Sequence, residues 1–394
     1  MSRPLKLCFI SQEYPPYTAW GGIGTYYKQL TERLRIEGHK ITIITRYNKN
    51  IRPIDKSNNI DILFVGLPVW VKYFIGRTFD KIINSVTVYI VLRKIDKKYR
   101  YDIIETPEVN LEAFALILDN RFKDRVVIQC HGSNQFGVIP DGKFRMVHII
   151  DLKMSYYIEK YILRRASRIL VPSKSGMSVL KRIGINKKKI SLMYHGIDTE
   201  LFYKFEPSDI ASNGNIKVGF VGRLENRKGI QFIWKLLDYF ETDTPIEFHF
   251  FGSVHKSAKS DVDHYLEKYS KHVYYHRPLQ HDDMPKVYNS IHILIAPSKF
   301  EQFGLVYAEA MACELLVFAG KEGGGQEIIN SNSDGFLLDP EKDEGVVFDH
   351  LIEYVHDPQK YNKLKINARK KIKENFSLKQ LISNKLKYYN KIRV

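Results

Sequence analysis

Two glutamates, Glu301 and Glu309, lie within the stretch 296–320, which reads Ala-Pro-Ser-Lys-Phe-Glu-Gln-Phe-Gly-Leu-Val-Tyr-Ala-Glu-Ala-Met-Ala-Cys-Glu-Leu-Leu-Val-Phe-Ala-Gly. The apolar run 291–296 reads as a strand broken by Pro297 and Ser298. Gly304 then starts a pattern that puts Val306, Ala310 and Cys313 on one helical face, and a second strand follows at 315–319. In open α/β sheets, ligands sit beyond the carboxyl ends of strands, where helix N-termini present partial positive charge to anions. A carboxylate there would repel a phosphate, so the two acids suit sugar or ribose hydroxyls beside one. A solvated helix residue and a capping loop acid would show the same spacing, and both readings stay open at this level.

Three further groups could do related chemistry. Arg223 and Lys228, in Gly-Arg-Leu-Glu-Asn-Arg-Lys-Gly, follow the apolar run 216–222. A guanidinium fork beside a point charge suits two neighbouring phosphates, although basic loop residues are ordinarily solvated. Gly21-Gly22-Ile23-Gly24 precede a helix and follow a strand. Their spacing is not that of the dinucleotide fingerprint, but glycines there let backbone N–H groups approach a diphosphate, or simply make a tight turn. His131 closes the apolar run 125–130, and a lone histidine at a strand end is often structural.

The elements needed to hold these residues alternate along the chain. Strands are expected at 5–10, 40–45, 60–65, 101–105, 125–130, 168–171 and 189–193, with helices at 23–37, 78–98, 110–119, 150–165 and 173–183. After a polar linker end at 209–215, strands follow at 216–222, 246–252, 272–276, 291–296, 315–319 and 335–338, the first leading into a helix that runs to residue 240. Strand–helix alternation with short joints predicts an α/β fold of two doubly wound parallel-sheet, Rossmann-like domains facing across a cleft. A length of 394 residues also favours two domains.

No apolar run approaches the roughly 18 residues of a membrane span, and residues 2–10 read as a first strand, not a signal peptide. Cys8, Cys130 and Cys313 are odd in number and lie in apolar contexts, as expected of buried thiols in a cytoplasmic protein. No cluster has metal-ligand spacing. The net charge of +17 is uneven. Residues 153–189 hold eleven basic side chains against one acid, and 360–394 hold twelve against one. Local excess points to an anionic partner; an AT-rich genome favouring Lys, Asn and Ile is the compositional alternative.

In order, Gly21-Gly22, Gly222-Arg223-Leu224 with Lys228-Gly229, Pro297-Ser298 with Glu301, Gly304 and Glu309-Ala-Met-Ala, then Gly323-Gly324 with Glu327-Ile-Ile and Gly335-Phe-Leu, resemble the motif series of retaining family-4 glycosyltransferases of the GT-B fold, over essentially the whole chain. The resemblance implies transfer of a sugar from a UDP- or GDP-linked donor to a saccharide acceptor, with retention, no metal and no cofactor. It implies that Glu309 binds the ribose hydroxyls, that Arg223 and Lys228 neutralise the leaving diphosphate, and that Glu301 binds donor-sugar hydroxyls. The backbone of Phe303, Gly304 and Leu305 would meet sugar and phosphate, that of Arg277 to Leu279 the base, Gly22 the diphosphate, and His131 the donor sugar.

It further implies an acceptor-side domain at 1–200, a donor domain at 201–375 and a C-terminal helix at 376–394 returning to the first domain. Acceptor contacts are expected from 14–20, 69–78 and 133–144. Glu314-Leu315-Leu316 stands where the family usually has Gly-x-Pro, so the turn there is expected to differ. Tyr194-His195-Gly196 stands where Asn-Gly is commoner. The two basic runs, with the apolar segment 69–75, would form a face for an anionic membrane and a lipid-linked acceptor. A GT-B nucleotide-sugar epimerase or phosphorylase is the nearest alternative. A basic nucleic-acid-binding protein would use the charge but none of the motifs, and no nucleic-acid module is recognisable.

Overall fold

The computed structural model describes residues 3–18, 21–46, 54–55, 60–66, 77–132, 146–205, 214–241 and 243–393. Two compact units divide the chain: one runs to Tyr194 and includes Leu381–Val394, the other comprises His195–Gln380.

In the first unit, β1 (Lys6–Ile10), β2 (Lys40–Arg46), β3 (Ile54–Asp55), β4 (Ile60–Val65), β5 (Ile103–Pro107), β6 (Val126–Gln129), β7 (Arg168–Val171) and β8 (Ile190–Leu192) form a sheet ordered β3-β4-β2-β1-β5-β6-β7-β8. Every pairing is parallel except β3 with β4. The second sheet holds β9 (Ile216–Val221), β10 (Ile246–Phe251), β11 (Val273–His276), β12 (Ile293–Ala296), β13 (Leu316–Gly320) and β14 (Phe336–Leu338), ordered β11-β10-β9-β12-β13-β14 and parallel throughout. β12 and β13 are buried along their whole length, which is why Ile-Leu-Ile-Ala and Leu-Val-Phe-Ala-Gly show no polar alternation. One face of this sheet packs Phe220, Phe248 and Phe250 under the helix Ile230–Leu237, where Trp234 is fully buried.

One expected element takes another form. Residues 110–119 read as helix because Leu and Ala favour one, yet they form two 3₁₀ turns, Val109–Leu111 and Leu116–Leu118. Asn110 and Leu111 have φ of 62° and 58°, the left-handed region a leucine rarely enters. The kink lets the buried Glu108 and Glu112 on either side both turn inward as hydrogen-bond acceptors.

The helix Arg77–Tyr99 is also unusual: over its first turns the inward face is polar, and only then do Val88 and Leu92 enter the core. Asp80 takes both ends of the Arg46 guanidinium at 2.8 and 2.6 Å, and Ser85 Oγ donates to the Glu112 carbonyl at 2.9 Å. The helix Leu378–Ile392 buries Lys385 completely. Its Nζ donates to both oxygens of Glu105 on β5, at 2.7 and 2.6 Å, and to Gln129 on β6 at 2.9 Å. Lys385 belongs to the C-terminal basic run, yet it is a core residue. Lys371 of the same run pairs with Asp334 at 2.9 Å and Lys360 with Glu353, so much of that charge is internally matched. All three cysteines are free and buried, with burial pushing the thiol pKa of each above its ordinary value.

Candidate active site

In the second sheet the strand order reverses between β9 and β12, which are neighbours. The loops leaving their carboxyl ends therefore open side by side, at the topological switch point where α/β sheets bind ligands. Arg223 and Lys228 sit on the first loop, Glu301 and Gly304 on the second.

Glycine lets these loops touch. Gly229 has φ +79°, and a Cβ there would lie 1.9 Å from the Pro297 carbonyl oxygen. The Lys299 N–H donates to the Arg227 carbonyl at 3.0 Å, and Lys228 Nζ pairs with Glu301 Oε1. Ser298 Oγ donates to the same oxygen at 2.8 Å. Burial alone would raise the Glu301 carboxyl, but the Lys228 charge and hydrogen bond, Ser298 and Arg227 together hold it below its ordinary value. Its backbone is fixed as well, because its carbonyl accepts the Gly324 N–H at 2.7 Å.

Arg223 is freer. Its side chain is 57% exposed, with the guanidinium 3.5 Å from the buried Glu225, which also takes Arg227 at 3.1 Å. Sequence reasoning passed over Glu225, although it lies inside the same motif.

Gly304, at φ +99°, starts the helix Leu305–Ala312 and so presents the first-turn N–H groups to the loop end. Glu309 lies in the second turn, buried, and is held from two sides. The Tyr288 hydroxyl donates to Oε2 at 2.7 Å and His281 Nε2 lies 3.2 Å from Oε1. Burial, reinforced by the Glu309 charge, raises the Tyr288 phenol well above its usual range and keeps it a donor. A carboxylate has about four acceptor sites, so two such anchors leave capacity for further donors. Tyr288 and His281 carried no signal, being lone polar residues in an ordinary-looking segment.

Arg277 and Leu279 follow β11 and are exposed. The Phe303 ring is core, edge-on to His195 at 5.3 Å and to Phe376 at 5.8 Å. Glu314, in the expected family departure, adopts φ +59°, the left-handed geometry favoured for glycine after a helix, with Arg369 3.6 Å from its carboxylate.

His131, Gly21 and Gly22 belong to the first unit. Its strand order reverses between β1 and β5. Gly21 and Gly22 lead from the β1 loop into the helix Gly22–Ile36; a Cβ on Gly21 would meet the Glu13 carboxylate at 2.5 Å, whereas one on Gly22 would meet nothing. His131 follows β6, its ring edge-on to Tyr26 at 4.8 Å. Its N–H and that of Gly132 donate to the Glu108 carboxylate at 2.8 and 2.7 Å. Glu112 accepts the Gln12 N–H at 2.8 Å, steadying the loop after β1. Of the expected acceptor segments, only Tyr14–Thr18 and residues 77–78 fall among the described residues; 69–75 and 133–144 lie outside them.

Burial pushes Glu108 up to about 7 and Glu112 up to about 8, with backbone N–H donors opposing it in both. Both folded values lie above the roughly 4.3 of an unfolded glutamate. Their contribution to stability is therefore complete below that value and is lost as the pH rises through 7 and then 8. Glu112→Gln mimics the protonated acid. It should melt close to wild type at pH 5 and several degrees higher at pH 9; an equal loss at both pH values would contradict the assignment.

Two sheets, parallel but for the edge strand β3, the second with a cation-and-glycine loop and a glycine-started helix at its switch point, are the architecture of a GT-B glycosyltransferase. The profile of the family described as "Glycosyltransferase Family 4" matches residues 20–201, and that of "Glycosyl transferases group 1" matches residues 204–371. The chain belongs to the family-4 glycosyltransferases. It is 25% identical over 341 residues, 84% of this chain and 86% of the other, to the "Uncharacterized 41.2 kDa protein in cps region" of Klebsiella pneumoniae. Sucrose-phosphate synthase from Thermosynechococcus elongatus superposes with a TM-score of 0.82 at 19% identity, covering 98% of this chain and 99% of that one. The Anabaena protein HepE, solved in complex with UDP-glucose, gives 0.76 at 18% identity over 98% and 100%. The last two likenesses concern the fold.

Proposed function

We propose that this glycosyltransferase moves a hexosyl group, with retention, from a UDP- or GDP-sugar to a saccharide acceptor, lipid-linked and met at the inner face of a membrane, in cell-surface polysaccharide or glycoconjugate synthesis. The observation that carries the reading is the paired-loop site of the second unit, where Arg223, Lys228, Glu301 and the Gly304 helix start gather at one switch point. HepE's complex with UDP-glucose and the Klebsiella relative's place in a cps region support the donor and pathway class.

In this reading residues 201–375 hold the donor. Glu309 accepts from the ribose hydroxyls, and the backbone at Arg277 and Leu279 meets the base. The diphosphate lies at the Gly304 helix start, with Gly22 leaving room on the side of residues 1–200 and the helix 376–394 completing that domain. As the C1–O bond breaks, its electron pair passes to the β-phosphate oxygen. Arg223 and Lys228 stabilise the growing charge and supply the countercharge a divalent ion would otherwise bring. The acceptor hydroxyl bonds to C1 on the face being vacated and its proton goes to the departing phosphate. Glu301 orients donor-sugar hydroxyls, and His131 lies beside the sugar.

Incubation with UDP- and GDP-hexoses and candidate acceptors, in excess chelator, should yield product with the donor's anomeric configuration by NMR. An inverted product, or activity restored only by magnesium or manganese, would overturn the mechanism. Free epimerised nucleotide sugar without transfer would replace the reaction.

A further inference from the structure

The helix Arg77–Tyr99 is amphipathic in the wrong sense for a soluble protein. Of its six buried residues four are polar, Thr78, Asp80, Asn84 and Ser85, and two apolar, Val88 and Leu92. Its outward face carries Phe79, Ile83, Val86 and Ile90, exposed by 55, 37, 41 and 59%. Steps of four, three and four place these side chains in one stripe along the helix. Thr78, Asp80 and Ser85 are held by Asp151, Arg46 and the Glu112 carbonyl, and Val88 and Leu92 pack inside, so the helix is firmly seated. What the fold leaves unmatched is the apolar stripe.

The helix Met146–Arg165 extends the surface. The Thr78 N–H donates to Asp151 at 2.9 Å, and Lys81 Nζ reaches Ser155 Oγ at 3.3 Å, so the two helices are held together. This second helix exposes Ile149, Ile150, Tyr157 and Tyr161, by 42, 60, 67 and 44%. Among the described side chains of the pair, the exposed charged ones are Arg77, Arg93, Lys94, Lys97, Lys98, Lys153, Arg164 and Arg165. All are basic. The acids on these helices are inside or half-buried: Asp80 and Glu159 are buried, Asp96 pairs with Arg125, and Asp151 caps Thr78.

We infer that these two helices form the face by which the protein seats on an anionic lipid bilayer. Apolar side chains bordered by cations of a single sign match the acyl–headgroup boundary: Phe and Ile enter the acyl region, Tyr157 and Tyr161 sit at headgroup level, and Lys and Arg meet anionic headgroups. A second copy of this chain is a poor occupant, because a two-fold contact would bring two sets of cations together. No helix among the described residues is long and apolar enough to cross a membrane, so the contact lies on the surface. Its biological purpose rests on the lipid-linked acceptor proposed above; the surface itself is argued from its own residues. It also moves the expected membrane face away from the C-terminal basic run.

The full chain would be sedimented with phosphatidylglycerol-containing vesicles and with pure phosphatidylcholine vesicles. Binding is expected to the anionic vesicles alone, falling as salt screens the charges. The double variant Ile83→Asp, Ile90→Asp should bind at least ~10-fold more weakly, an apolar stripe being the part that enters the bilayer, and Lys153→Glu with Arg164→Glu should weaken binding at low salt and flatten its salt dependence. Both should melt like wild type, since the changed side chains are exposed, and should hydrolyse the donor sugar at the wild-type rate. Equal binding to neutral vesicles, no binding to anionic ones, or variants that bind like wild type would each overturn the inference. So would a dimer in solution that the Asp variants dissociate. Donor hydrolysis is read separately: its absence in wild type would remove the transferase mechanism and leave the membrane result intact.

Discussion

Arg223→Ala and Lys228→Ala should each lower kcat by about 100-fold or more, the scale of losing one donor to charge that develops in the transition state. The two variants should part company in stability. Arg223 is more than half exposed and its contact with Glu225 is long, so its loss should leave the melting temperature almost unchanged. Lys228 is different, because it lies against Glu301 in a largely enclosed site. Removing it leaves that carboxylate to the effect of burial, which raises its pKa. Lys228→Ala should therefore melt lower than Arg223→Ala, and the additional loss of activity should grow as the pH falls and Glu301 takes up its proton. Steady-state kinetics from pH 5 to 8 with matched melting curves test both statements. Near-wild-type turnover in both variants would remove the clamp from the mechanism.

Lys385→Ala should be among the most destabilising single changes in the chain. Lys385 and Glu105 are both fully buried, and the Tyr389 hydroxyl donates to the same carboxylate. Breaking one partner of such a pair leaves an uncompensated charge in the core, a loss of about 3–5 kcal/mol. Burial lowers the Lys385 pKa, with Glu105 acting against it, so desolvation is the dominant cost at this site. Replacing both partners, as Lys385→Met with Glu105→Leu, should recover most of the loss, since the apolar pair is not charged. Urea unfolding of the two singles and the double gives the coupling directly. Singles whose effects simply add would show that the two groups are not acting as a pair.

Much of the architecture could be read from periodicity alone. The strands around 216–222, 291–296 and 315–319 were legible because they are apolar without alternation, and the helices because glycine or proline brackets them. The order of the strands was not legible. That β9 neighbours β12 depends on sheet pairing across about seventy residues, and this is what brings Lys228 against Glu301. The motif residues could be named singly; their contact could not. Glu108, Glu112 and Glu225 were missed for a common reason: an acid that accepts backbone or arginine N–H groups in the interior looks, in sequence, like any solvated acid. Residues 110–119 misled because local helix preference there yields to two buried carboxylates. The helix Arg77–Tyr99 was found, but its facing was not, since its polar residues turn inward to Arg46, Asp151 and Glu112.

The Glu105–Lys385 contact spans 280 residues of sequence, and this bears on how the protein is made. During synthesis the first sheet can assemble its strands while residue 385 has not yet been added. At ~5–20 residues per second, the interval from the end of β8 at Leu192 to residue 385 is roughly 10–40 s. Over that time the Glu105 carboxylate in the middle of the sheet waits without its cation. The place of Lys385 against β5 and β6 is filled only once the helix Leu378–Ile392 has been made. Closing the core of the first unit around β5 therefore waits on a helix made after the whole of the second sheet.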